Sequence, residues 1–421
     1  LCKLPDQASE SLAEALRLKP DLPFATGDFL HAKAWNCDWS NHAAEWQNCS
    51  DSVDRGLPVI TAFPSLSLGL SPKQLLACAK LARIASLKNT SDPLWRGEIY
   101  SHRRIRVAYI SCDFKEHPVS YLSAGVFEQH DRSVFETIGI SVGINDKSPM
   151  RARMSTAFDH FIDGYRMANE ALASSLRERE IDIVVDLGGN TAGSRLDLLA
   201  LRPAPVQATY LGYAATTGAN FVDYIIADQT VIPPNDQKFY SEKVAYLPNC
   251  YLPNDRSRAI GGPVDRSDAG LPEAAFVFCS FNQPYKITPA VFDIWMRLLE
   301  RVPDSVLWLP AFSETAMANL RTEAERRGAR SERIIFAKRV DRQEDHLARV
   351  GLADLFLDTL NYNAHSTACD ALWAGVPLVT CIGSTFAGRV GASVLRAAGL
   401  PELITTSLEE YEGLALKLAT D

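Results

Sequence analysis

The strongest constraint on the fold is an alternation that begins at Arg104 and runs almost to the last residue, in which short aliphatic and β-branched runs trade places with segments of helical periodicity. RIRVAYISCDF (104–114) has the composition of a strand, and it passes through the loop Lys115-Glu116-His117-Pro118 into a helix over 119–129. A strand is expected at 135–142, a helix at 169–178, and a strand at 181–187 that ends on Gly188-Gly189-Asn190-Thr191. After the rigid connector Arg202-Pro203-Ala204-Pro205, strands at 207–211 and 221–226 continue the series. Parallel strands need a crossover to return the chain to the same end of the sheet. Helices of this length supply it, so the pattern spells a doubly wound parallel sheet. Ligands of such sheets lie beyond the carboxyl ends of the strands, and His117 and the 188–191 loop, each following a strand directly, are placed at that edge.

Residues 231–272 are rich in Pro, Asn and Asp with few periodic segments, and read as the passage between lobes. A second series then starts. FVFCSFN (276–282) is a strand, Gln283-Pro284-Tyr285-Lys286 a loop, and 288–301 a helix with Thr288 as cap and Pro289 at its first position. SVLWLP is the next strand, 314–327 a helix, RIIFAKR a strand and 343–350 a short helix. The expected architecture is α/β, with two doubly wound Rossmann-like lobes facing a cleft. They occupy 99–255 and 256–421, the second cut short, behind an α-helical segment over 1–98.

That leading segment carries apolar residues at helical spacing in Leu12, Ala15 and Leu16 and again in Leu75, Leu76, Cys78 and Ala79. AEALRLKPDLP (13–23) looks like the closing helix and turn of a tetratricopeptide repeat. The aromatic run of Trp35, Trp39, His42 and Trp46 is read as packing between helices, since large aromatics mostly serve cores. With 421 residues the chain exceeds what one core carries. A net charge of -8 argues against a general nucleic-acid binder, which needs a basic surface. Nine cysteines without a C-x-x-C pair signal neither zinc nor a disulfide framework, so a reducing, cytoplasmic setting is expected. The longest uncharged run, 371–388, is broken by Gly375, Pro377 and Gly383 and is no membrane span. Leu1 is not an initiator Met, and the sequence is read as an excerpt.

The candidate site lies in LADLFLDTLNYNAHSTACDALWAGVP (352–377), a buried strand, a polar loop, and a helix opened by Ser366-Thr367 and closed by Gly375-Val376-Pro377. A helix start offers unpaired N–H groups and the positive end of the dipole, so a phosphate placed there is bound by main chain and field together. Ser366 and Thr367 add hydroxyls and His365 a ring donor, while Asp370, one turn deeper, suits the hydroxyls of a ribose. The group suggests a nucleoside diphosphate, although Ser, Thr and Asp here also serve as ordinary caps. Lys286 belongs to the same strand edge and would neutralise a departing diphosphate; no D-x-D triplet is present to hold a metal for that purpose. His346 is a further phosphate candidate, or else a solvated histidine. His117 is the acceptor-side candidate, either a base or a group that orients the acceptor, while His160 in FDHFID reads as structural.

SCDFKEHPVS, ALRPAPVQATYLGY, FNQPYKI, VPDSVLWLP and the NAHSTACDALWAGVP block, behind repeat-like helices, closely resemble the bacterial-type protein O-GlcNAc transferases of glycosyltransferase family 41, from about residue 12 onward. The resemblance implies a GT-B fold and inverting, metal-independent transfer of N-acetylglucosamine from UDP-GlcNAc to Ser or Thr of proteins that tetratricopeptide repeats present, with no cofactor. It further implies that Gln283 and Lys286 contact the diphosphate, that His365, Ser366 and Thr367 form the phosphate loop, and that Asp370 holds the ribose. His346 and Arg349 would lie on the uracil and phosphate side, behind a backbone-contacting loop of Asp341, Arg342 and Gln343, and His117 would match a histidine proposed as base or positioning group. Gln343 stands where animal relatives have lysine, and Ser366 where threonine is more usual. Kindred readings are a protein O-fucosyltransferase using GDP-fucose, an asparagine N-glucosyltransferase, a non-catalytic repeat scaffold that binds nucleotide, and a sugar-nucleotide epimerase.

Overall fold

The structure, a computed structural model, describes residues 4–86 and 92–421. It divides into two compact units, Pro72–Arg258 on the one hand and the residues up to Ser71 together with Ala259–Asp421 on the other. The helical segment expected over 1–98 is therefore shared: its first part clusters with the second sheet and its last helix with the first.

Three helices open the chain, α1 (Pro5–Leu18), α2 (Ala25–Trp35) and α3 (His42–Asp54). What ties them to the second sheet's unit is aromatic. The Tyr285 ring lies 5.0 Å from His31 and 4.9 Å from Trp35, and Trp39 lies 5.2 Å from Phe292. Ring pairs at these separations and tilts contribute beyond the area they bury.

The first sheet's unit begins with α4 (Pro72–Ser86) and then alternates: β1 (Ile105–Ser111), α5 (Pro118–Glu128), β2 (Phe135–Ser141), α6 (Pro149–Thr156), β3 (His160–Asp163), α7 (Asn169–Glu178), β4 (Ile183–Asp186), β5 (Val206–Thr209), β6 (Tyr224–Ala227) and β7 (Lys243–Tyr246). Its order is β3-β2-β1-β4-β5-β6-β7, with parallel pairing throughout. Ala108, Ile110, Ile138, Ile140 and Val184 from the strands meet Leu172, Ala173 and Leu176 of α7 in its core. β7 corrects the reading of 231–272 as mere passage: KVAY is a four-residue edge strand, too short and too exposed to show alternation.

The second sheet's unit carries β8 (Phe276–Cys279), α8 (Pro289–Arg301), β9 (Ser305–Pro310), α9 (Glu314–Arg326), β10 (Ile334–Ala337), α10 (Gln343–Val350), β11 (Leu355–Leu357), α11 (Ser366–Trp373), β12 (Leu378–Cys381), α12 (Val390–Ala397), β13 (Ile404–Thr405) and α13 (Leu408–Thr420). The order is β10-β9-β8-β11-β12-β13, again parallel. Trp295, Trp308, Phe278, Phe292 and Phe356 are fully buried in its core. In each sheet the direction of strand addition reverses once, between β1 and β4 and between β8 and β11. Ligand crevices open at such reversals, so the loops after these four strands are the places to look.

Among the described residues every cysteine is free, and no helix is long and apolar enough to cross a membrane.

Candidate functional site

Two loops meet at the reversal of the second sheet, one leaving β8 and one leaving β11. The β8 loop turns through the single 3-10 turn Pro284–Lys286, held in place by the burial of Tyr285, and then α8 starts at Pro289 with the Thr288 hydroxyl accepting from Val291 N at 3.4 Å. Lys286 is thereby carried inward and is only 8% exposed. Its Nζ donates to the carbonyl of Asn363 at 2.9 Å and stands 3.9 Å from the centre of the Tyr362 ring. Burial drives its pKa down to about 7, with the nearby Asp358 carboxylate working the other way. An ammonium removed from water, with one carbonyl, one ring face and only the Asp358 carboxylate to offset its charge, is suited to an anionic ligand.

The β11 loop ends at α11. The first bonds within this helix are donated by Ala368 N and Cys369 N, at 3.1 and 3.2 Å, both to the His365 carbonyl. The N–H groups of Ser366 and Thr367 therefore stand outside the helix ladder, as expected of a helix start. The Thr367 hydroxyl donates to Asn282 Oδ1 at 2.7 Å, so toward a ligand Thr367 presents its amide, and Ser366 supplies the free hydroxyl proton. His365 Nε2 lies 3.1 Å from the Ala387 carbonyl, which can only accept, so Nε2 bears the proton and Nδ1 the lone pair. Burial and the Lys286 charge hold this ring neutral, with its pKa well below the usual value. The ring donor expected of His365 is thus turned inward in this arrangement.

A second cluster borders the first. Asp370 is 7% exposed; its Oδ1 accepts from Gln343 Nε2 at 3.4 Å and its Oδ2 lies 3.7 Å from His346 Nε2. Arg349 donates to His346 Nδ1 at 3.1 and 3.3 Å, and its guanidinium faces the Phe281 ring at 5.3 Å. His346 is consequently not a solvated histidine: Arg349 holds its Nδ1, and its Nε2 faces Asp370 without a direct hydrogen bond. Asp341 and Arg342 are exposed, and Arg342 is turned to Glu344 at 2.8 Å, while Gln283 is exposed at the mouth of the β8 loop.

In the other unit, His117 caps α5, with Val119 N donating to its Nδ1 at 3.3 Å and Asp113 Oδ2 at 3.7 Å from the same atom. Burial lowers its pKa against the pull of Asp113. With Nδ1 accepting a main-chain N–H, the neutral ring carries its proton on Nε2 and faces outward as a donor. His160 lies on the edge strand β3 and pairs with Glu136 at 3.1 Å, a structural position.

The pattern of Glycosyl transferase family 41 matches residues 75–261 and 263–421. The chain belongs to glycosyltransferase family 41. It is 36% identical over 412 residues to a probable UDP-N-acetylglucosamine–peptide N-acetylglucosaminyltransferase, SEC, of Arabidopsis thaliana, an alignment covering 93% of this chain and 42% of that protein. The Caenorhabditis elegans UDP-N-acetylglucosamine–peptide N-acetylglucosaminyltransferase is 28% identical, with 91% of this chain and 44% of that protein covered. The chain thus spans less than half the length of these relatives. A mutant of the Thermobaculum terrenum O-GlcNAc transferase superposes with a TM-score of 0.82 at 30% identity, covering 100% of this chain and 81% of that one. The two parallel sheets are accordingly those of a GT-B-type fold.

Within this family-41 fold, three residues that sequence reasoning did not single out build the site. Asn282 is buried and bridges Thr367 to Thr359, accepting at 2.7 Å and donating at 2.9 Å. Tyr362 lies under Lys286, and Asp358 takes the amides at both ends of the β11 loop. The available signal was placement: Asn282 and Asp358 are polar residues at the carboxyl ends of buried strands, where a side chain without a task is costly.

Proposed function

We propose that this chain transfers N-acetylglucosamine from UDP-GlcNAc to Ser or Thr hydroxyls of proteins, inverting the anomeric centre and without a metal. The observation that carries the reading is Lys286, a buried ammonium beside a free helix start with only the Asp358 carboxylate set against its charge, an arrangement suited to a diphosphate leaving group. As the bond from the anomeric carbon to the diphosphate breaks, negative charge grows on the phosphate oxygens. Lys286 and the amides of Ser366 and Thr367 stabilise it where it develops, the work a divalent cation performs elsewhere. Asp370 accepts the ribose hydroxyls once they displace Gln343 and His346, and the Arg349–His346 pair lies on the base and phosphate side. His117 donates through Nε2 to orient the acceptor. The activity named for the Arabidopsis and C. elegans relatives and the T. terrenum structure support the choice of donor and of a protein acceptor. The leading helices, in this reading, end a tetratricopeptide array that presents acceptor proteins in a reducing, cytoplasmic setting.

The test is incubation of the purified protein with radiolabelled UDP-GlcNAc, UDP-glucose or GDP-fucose and a peptide mixture, with and without chelator. Label from UDP-GlcNAc alone, β-linked to Ser or Thr by NMR and indifferent to chelation, is expected. Label from GDP-fucose, or activity abolished by chelation and restored by magnesium or manganese, overturns the donor or the metal-free step respectively.

A further inference from the structure

Deepening that reading, and resting on it for the identity of the ligand, one buried carboxylate explains how the loop around Lys286 keeps its shape. Asp358 leaves β11 fully buried. Its Oδ1 accepts from the amides of Thr359 at 2.7 Å and Ala364 at 2.5 Å, the two ends of one loop, and its Oδ2 accepts the Thr380 hydroxyl of β12 at 2.6 Å. Asn282 Nδ2 approaches Oδ1 at 3.5 Å from the end of β8. The clamped loop carries both groups that seat the lysine, the Asn363 carbonyl and the Tyr362 ring. The seat is fitted closely around the carboxylate, since a Cβ at Gly391 of α12 would lie 2.5 Å from Oδ2. Asn363 is itself fixed, its Nδ2 donating to the Thr359 carbonyl at 2.6 Å and its Oδ1 accepting from Gly391 N at 3.3 Å.

We infer that Asp358 is the positioning residue of the diphosphate site: it closes the β11 loop at both ends so that Asn363 and Tyr362 hold Lys286, and its carboxylate is the counter-charge that keeps this lysine a cation before the nucleotide arrives. The electrostatics point the same way. Burial raises the Asp358 pKa to about 7 while Lys286 lowers it, and burial lowers Lys286 to about 7 while Asp358 raises it. The other titratable groups facing the pair are His365, held neutral by burial, and Tyr362, Tyr411 and Cys381, each raised by burial. None of these adds a charge near neutral pH, so the Lys286–Asp358 couple sets the local field. Asp358→Asn keeps an oxygen for the two amides and removes the charge.

The test reads Lys286 directly and the nucleotide separately. The ε-carbon NMR resonance of Lys286, assigned by its loss in Lys286→Arg, is titrated in the unliganded full chain, and UDP affinity is measured by calorimetry at pH 6 and pH 8. In Asp358→Asn the lysine titration moves to lower pH, and UDP affinity falls about tenfold at pH 8 but less than about threefold at pH 6, following the linkage between charge and binding. An unmoved lysine titration overturns the inference even if wild-type protein binds UDP as proposed. A moved titration in a protein that binds no UDP leaves the inference standing and overturns the ligand reading instead. Should Asp358→Asn fail to fold, Thr380→Val removes one donor to the carboxylate and keeps the rest. It moves the lysine titration in the same direction by less, and no movement there overturns the inference equally.

Discussion

Burial weakens the hold of Lys286 on its proton, and two measurable consequences follow from its place in the site. Replacing it by alanine removes a charge-assisted contact, so Lys286→Ala weakens UDP binding by about 1.5–3 kcal/mol and lowers turnover more. Calorimetry beside steady-state kinetics checks this, and unchanged values would remove the lysine from the site. The sign of the pH dependence is fixed by the direction of its shift. With a pKa of about 7 the free lysine is largely neutral at pH 8, and a bound diphosphate favours its protonated form, so binding takes up a proton and affinity falls as pH rises above 7. Asp358, also held near 7, moves in the same sense, because a second anion nearby disfavours its ionisation. Titrating UDP-GlcNAc, whose diphosphate has no group ionising near neutrality, in buffers of different ionisation enthalpy measures the uptake; none at pH 8 contradicts the argument. His117 differs in kind. Its Nδ1 is engaged by Val119 N, which leaves Nε2 for the acceptor-side role proposed for it. His117→Ala is expected to lower kcat by about a hundredfold, within the span of acid–base and positioning groups, with UDP affinity unchanged. Loss of both would place this histidine on the nucleotide instead.

At the scale of elements, the site depends on how closely α12 approaches the ends of β11 and β12. A Cβ at Gly391 would lie 2.5 Å from Asp358 Oδ2 and 2.8 Å from Thr380 Oγ1, two atoms already bonded to each other in a buried place. Gly391→Ala therefore destabilises by about 1–3 kcal/mol through overpacking, read as a lowered urea midpoint, and weakens UDP binding with it. A variant as stable as the parent would mean that α12 has room to withdraw. Nothing in the sequence pattern announced this. β12 went unread because LVTC sits inside the uncharged run 371–388, where a buried strand and a buried helix look alike, and α12 because it starts with neither a side-chain cap nor a proline. By contrast α8 and the start of α11 were legible, since one is opened by a Thr cap with a proline and the other by a Ser-Thr pair, each after a strand, and α10 was legible from the strand before it and its acidic first turn of Glu344 and Asp345. The site divides in the same way. Lys286 and the 365–370 helix start could be read because a helix end has a local signature. Asn282 and Tyr362 act through partners far along the chain and Asp358 through the fold-back of its own loop, and spacing says nothing about either.

At the scale of the molecule, the leading helices are part of the second sheet's unit rather than an appendage to it, and Tyr285 shows why. This buried ring stands one residue before Lys286 and meets His31, Trp35, Phe63 and Tyr362, so α2 and its neighbours wall the loop that delivers the lysine. Tyr285→Ala opens a cavity where these elements join, and truncation of a buried aromatic costs about 3–5 kcal/mol. Fluorescence can assign that loss to one unit. Of the seven tryptophans only Trp95 lies in Pro72–Arg258, so the emission reports chiefly on the unit that contains the leading helices. The expected result is a urea midpoint shifted down by fluorescence, with UDP affinity falling alongside because Lys286 loses the wall behind it. A loss below about 1 kcal/mol would mean that α1 to α3 contribute little to this unit, since ordinary surface substitutions cost no more than that. In that case the helices would fold as an extension of a repeat array and touch the catalytic machinery only through the chain itself.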